Sequence, residues 1–485
     1  MKLAFDFLCD EALLFSGIAL QLKQEGHDIY GFTMGCRWNQ GWHKEFITSP
    51  VCDLKIAKMS NIDKELERIG GEYKDYHPGA FLQTDRFLMN NNRDYQRKIL
   101  VHTFLSVEKC IDSWGPDFYF STGVAYLYNL VTLAVCGKRG IPHISLYSTR
   151  GVKPRFTVSF GVGGSWDLVE KQYTKFRDGE PCSQDEMEEA EGALAEFKNR
   201  AGTPFYMNLA RQSSLLKVVF IKEFISRCKN WYLDGWGGEK DDYITQNPFW
   251  YVGRDLKKLV LAAYIKKKRH VIFDKVNRGD NYYIFPLHLQ PEASTLVLAP
   301  WYVNQITTIE NISKSLPLNC FLYVKEHRSA LGRHNLSFYK KIQSLHNVKL
   351  VAYDEDTPNL IANSKGVIVL SSTMGWESLL LGKPVYLLGD VFYKVVDGVF
   401  WVDNYLRLQN ILEQHLEVKG DTITSIDQQS VKQFMVAVKR FSYPGLFDVH
   451  KLDLTDKVLA KENVRHVKEG VMSIMAACLD KAEVS

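Results

Sequence analysis

The chain has 485 residues, of which 46% are hydrophobic and 24% are charged. This composition excludes a largely disordered chain and is sufficient for two or three domains with full cores. The net charge is +4, and acidic and basic residues are interspersed along most of the sequence, so no nucleic-acid-binding surface is expected. Nine scattered cysteines without a CxxC pair or a secretory signal predict reduced thiols, no zinc site and a cytoplasmic protein.

The beginning of the chain has the pattern of an α/β domain. Apolar runs alternate with stretches of helical spacing, in the order 2–8 (strand), 12–26 (helix), 28–33 (strand), 116–121 (strand), 125–138 (helix) and a strand from Ile141. Strands and helices that alternate in this way predict a doubly wound domain, whose ligands bind at the carboxyl ends of the strands.

Three helical stretches follow, and they predict an insertion. They cover residues 184–198, 213–229 and 256–268, and the insertion spans about 184–270 of an N-terminal domain at 1–275. The polar stretch 276–281 predicts an interdomain linker.

The second half predicts another α/β domain at 282–455, followed by a C-terminal helix at 456–485. Its strands are expected at the apolar runs that begin at residue 282 and at 295–302, 320–327, 348–353, 366–372 and 384–389. Their alternation with helices predicts a parallel sheet. Two doubly wound, Rossmann-like α/β domains that face one another across a cleft form the GT-B architecture, and a GT-B-like fold is the fold class that we expect.

The segment 367–389 carries the sharpest chemical signal. A strand leads into Ser371, Ser372 and Thr373, Gly375 allows a tight turn, and Glu377 begins a helix. Hydroxyls and free amides at a helix N-terminus form a site for a phosphate. The alternative is that these residues only cap the helix.

Residues 283–393 resemble the C-terminal domain of the bacterial capsule polysaccharide synthesis family, which includes Kdo transferases that use CMP-activated donors. The resemblance lies in the ordered pieces 285–295, 322–327, 338–351, 356–361 and 367–389. The N-terminal half resembles the family only in outline.

The resemblance assigns roles to individual residues. In the family, the histidine of a His-Pro motif and a pair of serines hold the cytidine monophosphate of the donor; His327 and the pair Ser371–Ser372 occupy these positions. The residue after His327 is Arg328 instead of proline, which weakens the case for CMP in particular. The alternative for a histidine at a strand end is a polar cap.

Further donor-binding residues are expected around these motifs. Lys325 and Glu326 precede His327 and are candidates for the phosphate side, while Gln290 and Glu292 lie in the loop after the first strand of the domain. Glu377 resembles the acid that GT-B enzymes direct at ribose hydroxyls, or it complements the helix dipole.

The resemblance also implies a general base in the N-terminal half, within an acidic-acidic-Gly motif that this sequence lacks. Residues 148–150 (Ser-Thr-Arg) stand where carboxylates were expected. Asp10 and Glu11, after the first strand, are the substitute catalytic candidates, with helix capping as the alternative. A second acidic group, at 72–77 (Glu72, Asp75 and His77), is better interpreted as polar loop residues.

Two arginines of the N-terminal half, Arg150 and Arg155, are candidates for binding an acidic acceptor. No Asp-x-Asp pair stands in a context typical of a metal-bound diphosphate, so we expect neither metal nor cofactor. The basic run Lys266 to His270 either contacts anionic lipid or a phosphorylated acceptor, or is the solvated end of a helix. Any contact with a membrane, at its cytoplasmic face, is expected to be peripheral.

The resemblance therefore implies an inverting glycosyltransferase of bacterial surface polysaccharide synthesis. Its donor would be CMP-Kdo or a related CMP-sugar, and its acceptor a glycan or lipid-linked glycan. Two alternatives stay open: a UDP-sugar transferase or UDP-sugar 2-epimerase of the same architecture, and a non-catalytic glycan-binding or assembly protein.

Overall fold

The computed structural model describes residues 1–7, 11–32, 59–150, 154–199, 224–225, 228, 248–277, 279–417, 426–446 and 460–482. Within these residues the strands are β1 Lys2–Asp6, β2 Asp28–Phe32, β3 Phe118–Ser121, β4 His143–Ser148, β5 Arg155–Ser159, β6 Tyr282–Pro286, β7 Phe321–Lys325, β8 Val348–Val351, β9 Gly366–Val369, β10 Val385–Leu387, β11 Val399–Trp401 and β12 Tyr443–Pro444. The helices are α1 Glu11–Gln24, α2 Ile62–Glu72, α3 Pro78–Thr84, α4 Arg93–Trp114, α5 Leu127–Lys138, α6 Asp167–Arg177, α7 Gln184–Asn199, α8 Pro248–Lys267, α9 Arg269–Ile272, α10 Ala293–Leu296, α11 Gln305–Lys314, α12 Leu336–Gln343, α13 Thr357–Ala362, α14 Thr373–Leu380, α15 Tyr405–Glu417, α16 Gln428–Arg440 and α17 Lys461–Ala482.

The chain divides into two compact units. The first unit comprises residues 1–168, 204–250 and 438–485, and the second comprises 169–203 and 251–437. These bounds differ from the predicted ones, because α17 belongs to the first unit and α7 belongs to the second. The predicted linker at 276–281 lies inside the second unit. Most of the helical stretch predicted at 213–229 lies outside the described residues.

The sheet of the first unit has the strand order β12-β5-β4-β3-β1-β2, with β5 antiparallel to its neighbours β4 and β12 and the other pairs parallel. Side chains of β1 alternate between two cores, because successive residues of a strand point to opposite faces. Ala4 packs in a core with α4 and α5, whereas Leu3 and Phe5 pack in a second core with α1 and α17. The sheet is therefore covered by helices on both faces.

The sheet of the second unit is parallel throughout, in the order β11-β10-β9-β6-β7-β8. The predicted strand at 295–302 is wrong: its first residues lie in the short helix α10, and Pro300–Tyr302 forms a 3-10 turn. A short apolar run fits a buried helical turn as well as a strand, and here Leu296 and Ala299 are buried while Trp301 is exposed. Two largely parallel, Rossmann-like α/β units confirm the predicted fold class.

Candidate functional site

The strand order of the second sheet reverses at β6. The chain passes from β6 to β7 and β8 on one side, and then returns to β9, β10 and β11 on the other side. In parallel sheets of this type, ligands bind beyond the carboxyl ends of the strands at this point. The loops after β6, β7 and β9 all leave the sheet at that edge, so their side chains form the candidate site.

The loop after β6 contains His288, which the sequence analysis missed. Its backbone is held from both sides by Gln305: the amide nitrogen donates to Oε1 of Gln305 at 2.7 Å, and Nε2 of Gln305 donates to the His288 carbonyl at 3.1 Å. The ring is buried, and none of the described residues forms a hydrogen bond with its Nε2. Burial lowers its pKa to about 3, with a further contribution from nearby His327, so the imidazole is neutral at physiological pH.

Gln290 and Glu292 lie farther along the same loop. The side-chain amide of Gln290 donates to the Val303 carbonyl at 2.7 Å, which leaves its Oε1 as the acceptor for another group. Glu292 precedes α10, and its carbonyl accepts hydrogen bonds that begin this short helix. The predicted contacts of these two residues with the donor remain predictions.

The loop after β7 contains the predicted group Lys325, Glu326 and His327. Glu326 is buried, and its carboxylate accepts hydrogen bonds from the Tyr339 hydroxyl at 2.6 Å and from the backbone amide of His327 at 2.7 Å. These contacts fix the loop, so Glu326 positions His327 instead of offering its oxygens to a ligand.

The ring of His327 has a defined orientation. Its Nδ1 accepts a hydrogen bond from the backbone amide of Ser329 at 3.2 Å, and this places the proton of the neutral ring on Nε2. Desolvation lowers its pKa, and Lys325 lowers it further, while Glu326 opposes the shift. The residue keeps part of its surface in contact with solvent, and its Nε2 proton can be donated to a ligand oxygen.

The corner between β9 and α14 contains the predicted serine pair. The hydroxyl of Ser371 donates to the carbonyl of Ser294, and the hydroxyl of Ser372 accepts from the amide of Met374 at 3.1 Å as the N-cap of α14. The capping alternative is therefore observed for Ser372. Its hydroxyl proton is still available to an anion, because the capping bond uses only a lone pair.

Gly375 does not act as predicted. It lies inside α14 and does not have a left-handed backbone, so a tight turn is not the reason for a glycine here. A Cβ atom at this position would lie 2.2 Å from the hydroxyl oxygen of Tyr393, which in turn donates to the Ser372 carbonyl at 2.5 Å. The glycine makes room for the tyrosine that holds the corner in place.

Glu377 and Lys325 give the site its electrostatic character. Glu377 is buried, and desolvation raises its pKa to about 8 although the positive charge of Lys325 opposes this. At pH 7 the group is therefore mainly a neutral carboxylic acid that can donate as well as accept, not the carboxylate assumed from the sequence. Lys325 donates to the Tyr353 carbonyl at 3.3 Å, and burial lowers its pKa.

The predicted residues of the first unit are less well defined. Asp10 and the side chain of Glu11 lie outside the described residues. Arg150 follows β4, and its role in acceptor binding stays a prediction. Arg155 donates to the Ser442 hydroxyl at 2.8 Å and to the Lys439 carbonyl at 3.3 Å, which is a structural role in joining β5 to the chain before β12.

The second acidic group of the sequence analysis is also structural where its contacts are known. Glu72 accepts from Arg68 at 2.8 Å and from Arg139 at 3.4 Å. Asp75 lies in a 3-10 turn, and His77 has a left-handed backbone immediately before α3. The interpretation as polar loop residues therefore fits Asp75 and His77, whereas Glu72 is the last residue of α2.

Asp6 is a buried acid at the end of β1 that the sequence analysis did not select. It accepts hydrogen bonds from the Tyr119 hydroxyl and from Nδ2 of Asn129, the latter at 3.0 Å. Burial raises its pKa to about 7, and its hydrogen bonds oppose the shift. The only signal in the sequence is an acid within an otherwise apolar strand.

Residues 246–410 match the family model of the capsule polysaccharide biosynthesis proteins. The matched residues make up about a third of the chain. The resemblance predicted from the sequence is thereby confirmed, and the matched range includes the loops after β6, β7 and β9. The candidate site thus lies entirely within the segment that matches this family model.

Similarity to individual proteins is distant. Protein FixF of Sinorhizobium fredii is 27% identical over 172 residues, which are 34% of this chain and 40% of that protein. Among solved structures, the β-Kdo 2,4 transferase of Thermosulfurimonas dismutans KpsC is 15% identical over 71% of this chain and 88% of that chain, with a TM-score of 0.37. The UDP-GlcNAc 2-epimerase of Methanocaldococcus jannaschii is 12% identical over 91% of this chain and 100% of that chain, with a TM-score of 0.24.

The described part of the chain contains neither a group of metal-ligating side chains nor a membrane-spanning helix. Its His, Cys, Asp and Glu side chains form no group of three or more that could hold a metal ion. None of its helices is both long and apolar enough to cross a membrane.

Proposed function

We propose that this chain is an inverting glycosyltransferase of surface polysaccharide synthesis, which takes its sugar from a nucleotide-activated donor. The observation that carries the proposal is the convergence of His288, His327 and Ser372 at the point where the strand order of the second sheet reverses. The match of residues 246–410 to the capsule polysaccharide biosynthesis family supports a role in polysaccharide synthesis. The family positions of His327 and the serine pair favour a CMP-sugar, with CMP-Kdo first.

The site stabilises the departing nucleotide. Negative charge grows on the phosphate as its bond to the anomeric carbon breaks, and donors fixed in advance stabilise this charge. The Nε2 proton of His327 and the hydroxyl of Ser372 donate to the phosphate oxygens, and the ammonium of Lys325 adds positive charge. The N-terminal end of α14 contributes its dipole in the same direction.

The acceptor completes the reaction. Its hydroxyl oxygen attacks the anomeric carbon, and its proton passes to a general base. Asp10 and Glu11 remain our candidates for this base. We expect catalysis without a metal ion, so a chelator should leave the rate of transfer unchanged.

Replacement of His327 by alanine tests the role of the loop after β7. The variant loses the donor to the phosphate, and we expect kcat/KM to fall by roughly 100-fold or more, as when one preorganised donor is removed from an oxyanion site. The measurement is the release of CMP from CMP-Kdo in the presence of a glycan acceptor. The control is His346→Ala, because His346 is exposed and precedes β8 at the opposite edge of the same sheet.

The nucleotide itself is tested by thermal unfolding with CMP, CDP, UDP and GDP. We expect selective stabilisation by CMP, since a ligand stabilises the state to which it binds. Selective stabilisation by UDP would indicate that the donor is a UDP-sugar instead of a CMP-sugar. If the chain neither binds a nucleotide nor transfers a sugar, the proposal that it is an enzyme is wrong. A glycan-binding or assembly protein is then favoured.

A further inference from the structure

Helix α8 has an exposed apolar face. Leu256, Val260 and Tyr264 are spaced by four residues and therefore lie on one side of the helix. They are between 45% and 65% exposed, and Leu259 beside them is 59% exposed. Val271, in the neighbouring helix α9, is also 74% exposed. Exposure of a row of large apolar side chains to water is unfavourable. Such a row indicates an interaction surface that is covered by a partner or by lipid.

The opposite face of α8 is fixed to the second unit. Ile265 is fully buried in the core of this unit. The helix backbone also comes close to Gly332, where a Cβ atom would lie 2.2 Å from the carbonyl oxygen of Lys258. The helix is therefore anchored on one side and cannot turn its apolar face inward without losing these contacts.

The charge of this segment is strongly positive. Residues 248–272 contain seven basic side chains and one acid, although the net charge of the whole chain is only +4. Arg254 pairs with Asp255, and Arg269 pairs with Asp354 and Glu355. The exposed lysines of the segment form no ion pair with any described residue: Lys257, Lys266, Lys267 and Lys268.

We propose that the outer face of α8, with Val271, lies against a lipid bilayer that carries anionic headgroups. An amphipathic helix with large apolar residues on one face, and with lysines beside this face and at the end of the helix, binds in the plane of such an interface. The unpaired lysines favour the bilayer over a second copy of the chain, because anionic headgroups neutralise them whereas a copy presents the same positive charge. This proposal does not depend on the proposed catalytic activity.

The test is the binding of the full chain to vesicles, measured by flotation. We expect binding to vesicles of phosphatidylcholine mixed with phosphatidylglycerol, and much weaker binding to phosphatidylcholine alone. Val260→Glu should abolish binding, because it places a charge in the apolar face. Replacement of both Lys266 and Lys267 by glutamine should weaken binding by roughly fivefold per lysine.

The matched control is Leu318→Glu, since Leu318 is 90% exposed in the same unit but lies outside α8. This variant should bind as the unchanged chain does, and the thermal unfolding of all variants verifies that they are folded. The proposal is overturned if the unchanged chain does not bind the anionic vesicles, or if Val260→Glu binds equally well. It is also overturned if the unchanged chain is a dimer, Val260→Glu dissociates this dimer, and neither of the two proteins binds vesicles. In that case the face contacts a second copy of the chain.

Discussion

The side chain of Glu377 shows how burial changes the chemistry of a residue in this site. Its pKa is about 8 in the folded chain, against an ordinary value of 4.5. Between these values the folded state holds a proton that the unfolded state releases. The free energy of unfolding of the second unit therefore falls as the pH rises through this window.

Replacement of Glu377 by glutamine should remove this pH dependence. Each unit of pKa shift corresponds to about 1.4 kcal/mol. The free energy of unfolding of the unchanged chain should therefore fall by on the order of a few kcal/mol between pH 5 and pH 8.5, and that of the variant should not. Chemical denaturation at the two pH values measures the difference. Glu413→Gln, at an exposed position of the same unit, serves as the control and should keep the original profile. Equal profiles for Glu377→Gln and the unchanged chain would contradict the buried, protonated state.

Gly375 gives a second prediction at the scale of single residues. In Gly375→Ala the new methyl group collides with the Tyr393 hydroxyl, and we expect a loss of roughly 1–3 kcal/mol in the free energy of unfolding together with weaker nucleotide binding. The control is Gly192→Ala in α7, where a Cβ atom meets nothing within 4 Å. That variant should be slightly more stable, because alanine favours a helix over glycine. A stable Gly375→Ala variant would show that Tyr393 is not needed to hold the corner.

At the scale of elements, α17 completes the core of the first unit. Five of its side chains are buried in one core with β1 and α1: Val464, Val467, Val471, Ile474 and Met475. Helix α17 therefore packs against the sheet that contains β1, although the two are more than 400 residues apart in the sequence.

Ile474→Ala tests this packing. Truncation of a fully buried isoleucine should lower the free energy of unfolding of the first unit by roughly 2–5 kcal/mol. Ser473→Ala changes the neighbouring exposed position and should leave stability within about 0.5 kcal/mol. Denaturant unfolding followed by circular dichroism measures both, and equal midpoints for the two variants would argue against a core position for Ile474.

Local patterns predicted most elements but fewer of the contacts that define the site. The alternation of apolar runs located the strands around β6 and β7, since these strands are buried and their spacing is local. The prediction of a strand at 295–302 was wrong, because a short buried helical turn has the same run of apolar residues as a buried strand. The partner of Ser371 is the carbonyl of Ser294, and no rule of sequence spacing links positions 77 residues apart. The buried Nε2 of His288, which has no hydrogen-bond partner among the described residues, is likewise visible only in three dimensions.

The whole molecule consists of two units that each draw on distant parts of the sequence. The two domains predicted from the sequence are continuous, and the polar stretch 276–281 predicts the boundary between them. In the structure the boundaries lie near residues 168, 203, 250 and 437. Chain crossings of this kind depend on which helix covers which face of a sheet, and composition does not reveal that.

The position of α17 has a consequence for biosynthesis. Domains usually fold as they emerge from the ribosome, the N-terminal one first. Here β1 and α1 end before residue 25, whereas the helix that covers them, α17, begins only at Lys461. The apolar face of the first sheet therefore stays without its last layer until α17 has left the ribosome, and during that time its exposed side chains can bind chaperones.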